Sequence, residues 1–160
     1  MRPGFMLAVC LALAVTASEA AAEAPRGFRE EQLAFARVRQ AVENKREKMR
    51  GLFEQRGLPF PAPEIYLRAF KQEGVLELWA SATKGGRHEL VASWPICARS
   101  GALGPKRREG DGQVPEGFYE LNHFNPLSNF HLSLGVSYPN AADRILGHKP
   151  ALGGAIYLHG

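Results

Sequence analysis

Apolar residues Phe28, Phe35, Val38, Val42, Met49 and Leu52 recur at spacings of three, four and seven, with mostly charged and polar residues between them. That period places them on one face of a helix, so the pattern predicts an amphipathic helix over residues 28–55. Lys45 and Arg46 interrupt the stripe, and Gly57 followed by Pro59 marks its end. The proline-rich segment 58–63 reads as a linker. Beyond it the period switches to two. Ile65, Leu67 and Ala69 alternate with Tyr66, Arg68 and Phe70, and residues 75–80 form a second strand across the turn 71–74. Further strands are predicted at 87–94, 116–122, 130–137 and 155–159, and a Gly-, Pro- and charge-rich loop at 100–117. Short strands between Gly/Pro turns, without alternating helices, predict a mainly β fold: a mixed sheet or sandwich carrying an N-terminal helix.

The first residues add a targeting signal. Arg2 precedes an apolar stretch from Phe5 to Val15, and the small residues Ala20, Ala21 and Ala22 follow. This order describes a secretory signal peptide over residues 1–22, removed on export. The apolar stretch is shorter than the roughly 20 residues a membrane span needs. Cys10 lies inside it without the context of a lipid-attachment site. The chain carries 20 basic and 16 acidic residues, a net charge of +4. Loss of Arg2 and Glu19 with the signal leaves that balance unchanged. Cys97 is then the single remaining cysteine, which excludes an intrachain disulfide. A mildly basic exported protein suits an anionic envelope polymer better than a nucleic acid, and charge alone does not decide between them. The run Lys45, Arg46, Lys48 and Arg50 reads most simply as the solvated face of the helix.

Few residues carry chemistry by spacing alone. Gly101, Gly104, Gly110, Gly112 and Gly117 form neither a dinucleotide nor a P-loop fingerprint. His88, His123, His131, His148 and His159 lack the spacing of a metal site, and no cofactor is implied. Glu109, Asp111 and Glu116 become an acid–base pair only if folding unites two of them. Cys97, at a strand end after Trp94-Pro95-Ile96, reads as a small buried hydrophobe. Asp143-Arg144 reads as a turn with a local ion pair. Strand alternation points Ala155, Tyr157 and His159 one way and Ile156 and Leu158 the other. His131 lies on the strand face opposite Phe130, Leu132 and Leu134, beside Ser133, a position that suits equally the edge of a cleft and a half-exposed sheet histidine.

Five ordered segments then resemble one family. They are Ser100-Gly101-Ala102-Leu103-Gly104-Pro105-Lys106; Gly110-Asp111-Gly112-Gln113-Val114-Pro115-Glu116-Gly117-Phe118-Tyr119; Asn125-Pro126 with Ser128-Asn129-Phe130-His131-Leu132-Ser133-Leu134; Ser137-Tyr138-Pro139-Asn140 with Asp143-Arg144; and Gly153-Gly154 leading to Ile156 and His159-Gly160. Together they resemble the L,D-transpeptidase catalytic domain (the YkuD type, in its compact exported murein subgroup) over residues 61–160, with residues 23–60 as an N-terminal helix and linker. The resemblance implies a cysteine acyltransferase or hydrolase acting on peptidoglycan stem peptides in cell-wall biogenesis and cell shape, located in the periplasm. It implies His159 as the general base of a cysteine thiol, with Tyr157, Gly160 and His131 as substrate contacts. A free thiol, with a pKa of about 8.5, is mostly protonated at neutral pH, so such a nucleophile needs an adjacent imidazole. In the family that cysteine follows the His-Gly pair shortly afterwards, and closing strands and a helix come with it; none of these is among the 160 residues. The implied partners are stem peptides and an amine acceptor or envelope lipoprotein, with no nucleic acid and no membrane span after signal cleavage. The alternative is a non-catalytic envelope protein that binds peptidoglycan without turnover.

Overall fold

The helical stripe breaks where Phe35 takes an extended backbone (φ −83°, ψ 128°), giving α1 (Phe28–Leu33) and α2 (Ala36–Glu54) in place of one helix. The computed structural model describes residues 27–160; the expected signal segment, with Cys10, lies outside the described residues. Two contacts account for the break. Arg39 Nη1 donates to the carbonyls of Leu33 and Ala34, both at 2.8 Å, satisfying the free end of α1. Phe28 meets Phe124 edge-on at 5.0 Å.

The stop at Gly57 is where the sequence places it. Gly57 adopts a left-handed backbone (φ 65°), its amide donates to Glu54 and the Leu58 amide donates to Phe53. This is a Schellman end, in which Gly is favoured because it carries no Cβ. The reversal drops Phe53 and Leu58 together into the core beside Leu78, Ala80 and Val91.

The first sheet is an antiparallel meander of β1 (Glu64–Phe70), β2 (Val75–Ser81) and β3 (Glu89–Pro95). Phe70 pairs with Val75 across the expected turn, and alternation turns Leu78 and Ala80 inward. On β1 only Leu67 packs against that core, while Ile65 stays exposed.

The second sheet has the order β4 (Leu121–Asn125), β5 (Ser133–Val136), β6 (Tyr157–His159), all antiparallel. Mainly β with helices at the N-terminal side is thus the observed class. Three expectations shift in this half. The strand placed at 116–122 begins only at Leu121, because Gly117 has φ 154° and the Glu116 and Tyr119 side chains are held by Lys71 and Asp143. The strand placed at 130–137 begins at Ser133, since His131 turns the chain at φ 69°. The Asp143-Arg144 turn is instead a helix, α3 (Ala141–Leu146), and Asp143 pairs away from Arg144. Asn140 Oδ1 accepts the Asp143 amide and Asp143 Oδ2 accepts the Asn140 amide, each at 3.0 Å, a reciprocal cap. Among the described residues no helix is long and apolar enough to cross a membrane.

Candidate functional site

Register makes the second sheet two-faced. Asn125 pairs with Ser133 and Ser133 with His159, while His123 pairs with Gly135 and Gly135 with Tyr157. Successive strand residues alternate, so these two rows share one face and Phe124–Leu134–Leu158 forms the other. The apolar row turns towards the helices: Phe124 and Leu134 line a cleft with Phe28, Leu33, Val38 and Val42. The polar rows open onto a groove of ≈ 460 Å³ lined by Asn125, Ser133, Tyr157 and His159, with Ser100, Gln113 and Phe130 among its other walls.

His159 stands at the end of β6 and is exposed. Its imidazole stacks on the Phe130 ring, centroids 4.2 Å apart and planes 15° from parallel. Nδ1 lies 3.3 Å from the Gly160 carbonyl. In the tautomer with its proton on Nδ1, that nitrogen donates to the carbonyl and Nε2 keeps the lone pair a base requires. Across the strand, Ser133 is buried. Tyr157 closes edge-on to His123 (6.3 Å) over Gly135, where an added Cβ would come 2.8 Å from the His123 Cβ. The absence of a side chain at Gly135 therefore brings the two rings together.

The glycine-rich loop supplies the opposite wall through Ser100, Gln113 and Val114. Lys71, in the β1–β2 turn, anchors it: Nζ donates to the carbonyls of Gly104 (2.6 Å) and Val114 (2.9 Å) and pairs with Glu116 at 3.0 Å. The Lys71 bond holds the Glu116 carboxyl below its ordinary pKa, against its partial desolvation. Deeper in the loop, Lys106 and Asp111 form a largely buried pair at 2.6 Å. Burial alone would raise the Asp111 pKa. The Lys106 ammonium and the amides of Arg108, Arg107 and Gln113 outweigh it and hold that carboxyl well below the usual carboxylate range. Two backbone bonds, Glu109 to Ala151 (3.0 Å) and His148 to Arg107 (2.7 Å), tie the loop to the segment leading into β6. Burial, then the bond to Asp143, raises the Tyr119 phenol far above its normal pKa, so it stays a donor. Tyr138, buried nearby, is raised for the same first reason and by the Asp143 charge.

Of the residues expected at a site, His159 and Tyr157 meet in the groove, with Gly160 adjoining. His131 is not among the lining residues; it lies in the turn before β5, off the strand that was expected to aim it. Glu116 and Asp111 each pair with a lysine and neither lines the groove, so they make no acid–base couple. Cys97 is exposed, contrary to the buried position expected of it. The chain leaves the sheet after Pro95, and the Ile96 amide makes a bond back to Gly74, so no second layer covers the thiol. Among the described residues no three His, Cys, Asp or Glu side chains are placed to hold a metal ion. Phe130, Ser133 and Asn125 were not anticipated as a group. Asn125 and Ser133 are paired by register between β4 and β5, and Phe130 is brought to the same groove by the turn that joins those strands, neither of which a local pattern reports.

No protein-family model matches the chain. Over 98 residues it is 38% identical to "Putative L,D-transpeptidase YafK" of Escherichia coli K12, and equally to the protein of the same name in Escherichia coli O157:H7. The match covers 60% of this chain and spans 38% of the length of those relatives. Among solved structures, the helical cell shape determining protein Pgp2 from Campylobacter jejuni is 25% identical, with a TM-score of 0.46, over 59% of this chain and 35% of that one. The resemblance to L,D-transpeptidases drawn from the five motifs is borne out by the identity to the Escherichia coli proteins.

Proposed function

We propose that the groove ending at His159 is the base-bearing half of a cysteine acyl-transfer site acting on peptidoglycan stem peptides. The observation that carries this reading is the polar row Asn125–Ser133–His159, with the imidazole exposed at the groove end. In the proposed reaction Nε2 of His159 takes the proton of a cysteine thiol that is not among these 160 residues. The thiolate attacks the peptide carbonyl between the diamino acid and the terminal D-alanine. The C–N bond breaks, the imidazolium returns its proton to the departing D-alanine amine, and a thioester remains. An amine acceptor, such as an envelope lipoprotein, resolves it to a new amide; water resolves it to an acid. Tyr157 and Gly160 contact the peptide.

In this reading residues 1–22 direct export to the periplasm and are removed, residues 23–60 are the helix and linker, and 61–160 are the catalytic portion. The supporting points are the similarity to L,D-transpeptidases and a lining without carboxylates, lysines or arginines, in which Asn125, Ser133 and Gln113 lie among apolar residues and suit peptide amides. The test is release of D-alanine from a tetrapeptide stem by protein recovered from cells carrying its gene. Release that disappears in His159→Ala supports the reading. Equal release by the variant, or none by the wild type, refutes it. Stem-peptide binding without release would leave a non-catalytic peptidoglycan-binding protein.

A further inference from the structure

We propose that Arg37 is a positioning residue for His159, acting through the turn that carries Phe130. Arg37 lies on α2, which contributes nothing to the groove lining. Its Nη1 donates to the carbonyls of Ser128 (2.8 Å) and His131 (3.3 Å), the two residues that bracket Asn129 and Phe130. A charged guanidinium is a stronger and more directional donor to such carbonyls than an amide. The turn is braced from within as well: the Leu127 amide donates to Asn125 Oδ1 at 2.9 Å and the Phe130 amide to Ser128 Oγ at 3.1 Å. His131 closes it in a left-handed backbone (φ 69°), a state that L residues disfavour and that a bond to its own carbonyl helps to hold.

Phe130 is mostly exposed, at 59%, and its ring stacks on the His159 imidazole. Little packing therefore fixes the ring except the backbone beneath it, and that backbone is tied to α2 by Arg37. His159 sits at the end of a three-residue strand, exposed, where its ring meets the Phe130 stack on one face and the Gly160 oxygen at Nδ1. Release of the guanidinium frees the turn, the phenyl ring leaves the imidazole, and the imidazole loses its stacked orientation at the groove. Only the consequence for catalysis rests on the proposed function of His159.

The experiment is proton NMR of the histidine ring resonances in the protein recovered from cells carrying its gene. In the wild type the Phe130 ring current displaces the carbon-bound protons of His159 upfield. Phe130→Leu abolishes the displacement and Arg37→Ala removes most of it. Arg37→Lys, which keeps one donor, retains part. The double variant Arg37→Ala, Phe130→Leu is no different from Phe130→Leu alone. An intact displacement in Arg37→Ala overturns the proposal, as does its survival in Phe130→Leu. If Arg37→Ala fails to fold by circular dichroism, Arg37→Lys decides: partial loss supports the relay and no change refutes it. A relay that behaves as described, in a protein whose D-alanine release survives His159→Ala, would leave the positioning intact and remove the catalytic reading.

Discussion

Phe130 covers one face of the His159 imidazole, 4.2 Å away and nearly parallel, so a groove ligand reaches that ring by its edge or its opposite face. Aromatic stacking of this kind contributes about 0.5–1.5 kcal/mol, and exposure places this pair at the low end. Phe130→Ala is therefore expected to lower stability by less than about 1 kcal/mol, read from the urea midpoint, while slowing acyl transfer several-fold. A loss of stability with activity unchanged would detach the stack from function.

Lys71 reaches three oxygens from a nearly buried position. Lys71→Met leaves the Gly104 and Val114 carbonyls without that donor, at an expected cost of about 2–4 kcal/mol in urea denaturation. Because the same loop presents Gln113 to the groove, stem-peptide binding weakens in the variant as well. Glu116→Gln, whose side chain is half exposed, should cost much less.

Asp111 makes folding sensitive to acid. Its carboxyl is held below the ordinary range in the folded protein, so the unfolded chain binds the proton more tightly. The contribution is whole above the unfolded pKa of about 3.9 and declines as pH falls below it. Asp111→Asn should destabilise the protein at neutral pH and flatten the loss of stability between about pH 5 and pH 2. A slope identical to wild type in that window would show that other carboxylates set it.

Gly135 is required by proximity alone, since its backbone avoids the left-handed region. Gly135→Ala pushes a methyl against His123 and Tyr157 and should cost about 1–3 kcal/mol. Combining it with His123→Gly, which removes the crowding Cβ, should recover part of that loss, measured as non-additivity in a double-mutant cycle. Strict additivity would mean that the crowding lies elsewhere.

The parts of the fold legible in the sequence are those decided locally. Gly57 and Pro59 mark the end of α2 because a left-handed residue and a missing amide act at the site where they occur. The β1–β2 hairpin follows from alternation on either side of a short turn. His159 and Tyr157 share a face by the same rule. The break at Phe35 depends on Arg39 and on Phe124, and the latter contact is remote in sequence. Helix α3 is only six residues long, so its periodicity is faint, although the Asn140–Asp143 cap was a readable signal. The displaced starts of β4 and β5 reflect groups engaged by distant partners, the Glu116 carboxylate by Lys71 and the backbone carbonyl of His131 by Arg37. The groove face was legible one strand at a time; its assembly from β4, β5 and β6 required the register.

Acylation by a carbapenem, followed by intact mass of protein recovered from cells carrying its gene, probes the thiol and its base in one step. The wild-type protein should gain a single adduct, and His159→Ala should gain it at least a hundredfold more slowly, within the range of general-base losses of about 10²–10⁴. An adduct formed at the same rate without the imidazole would contradict the account.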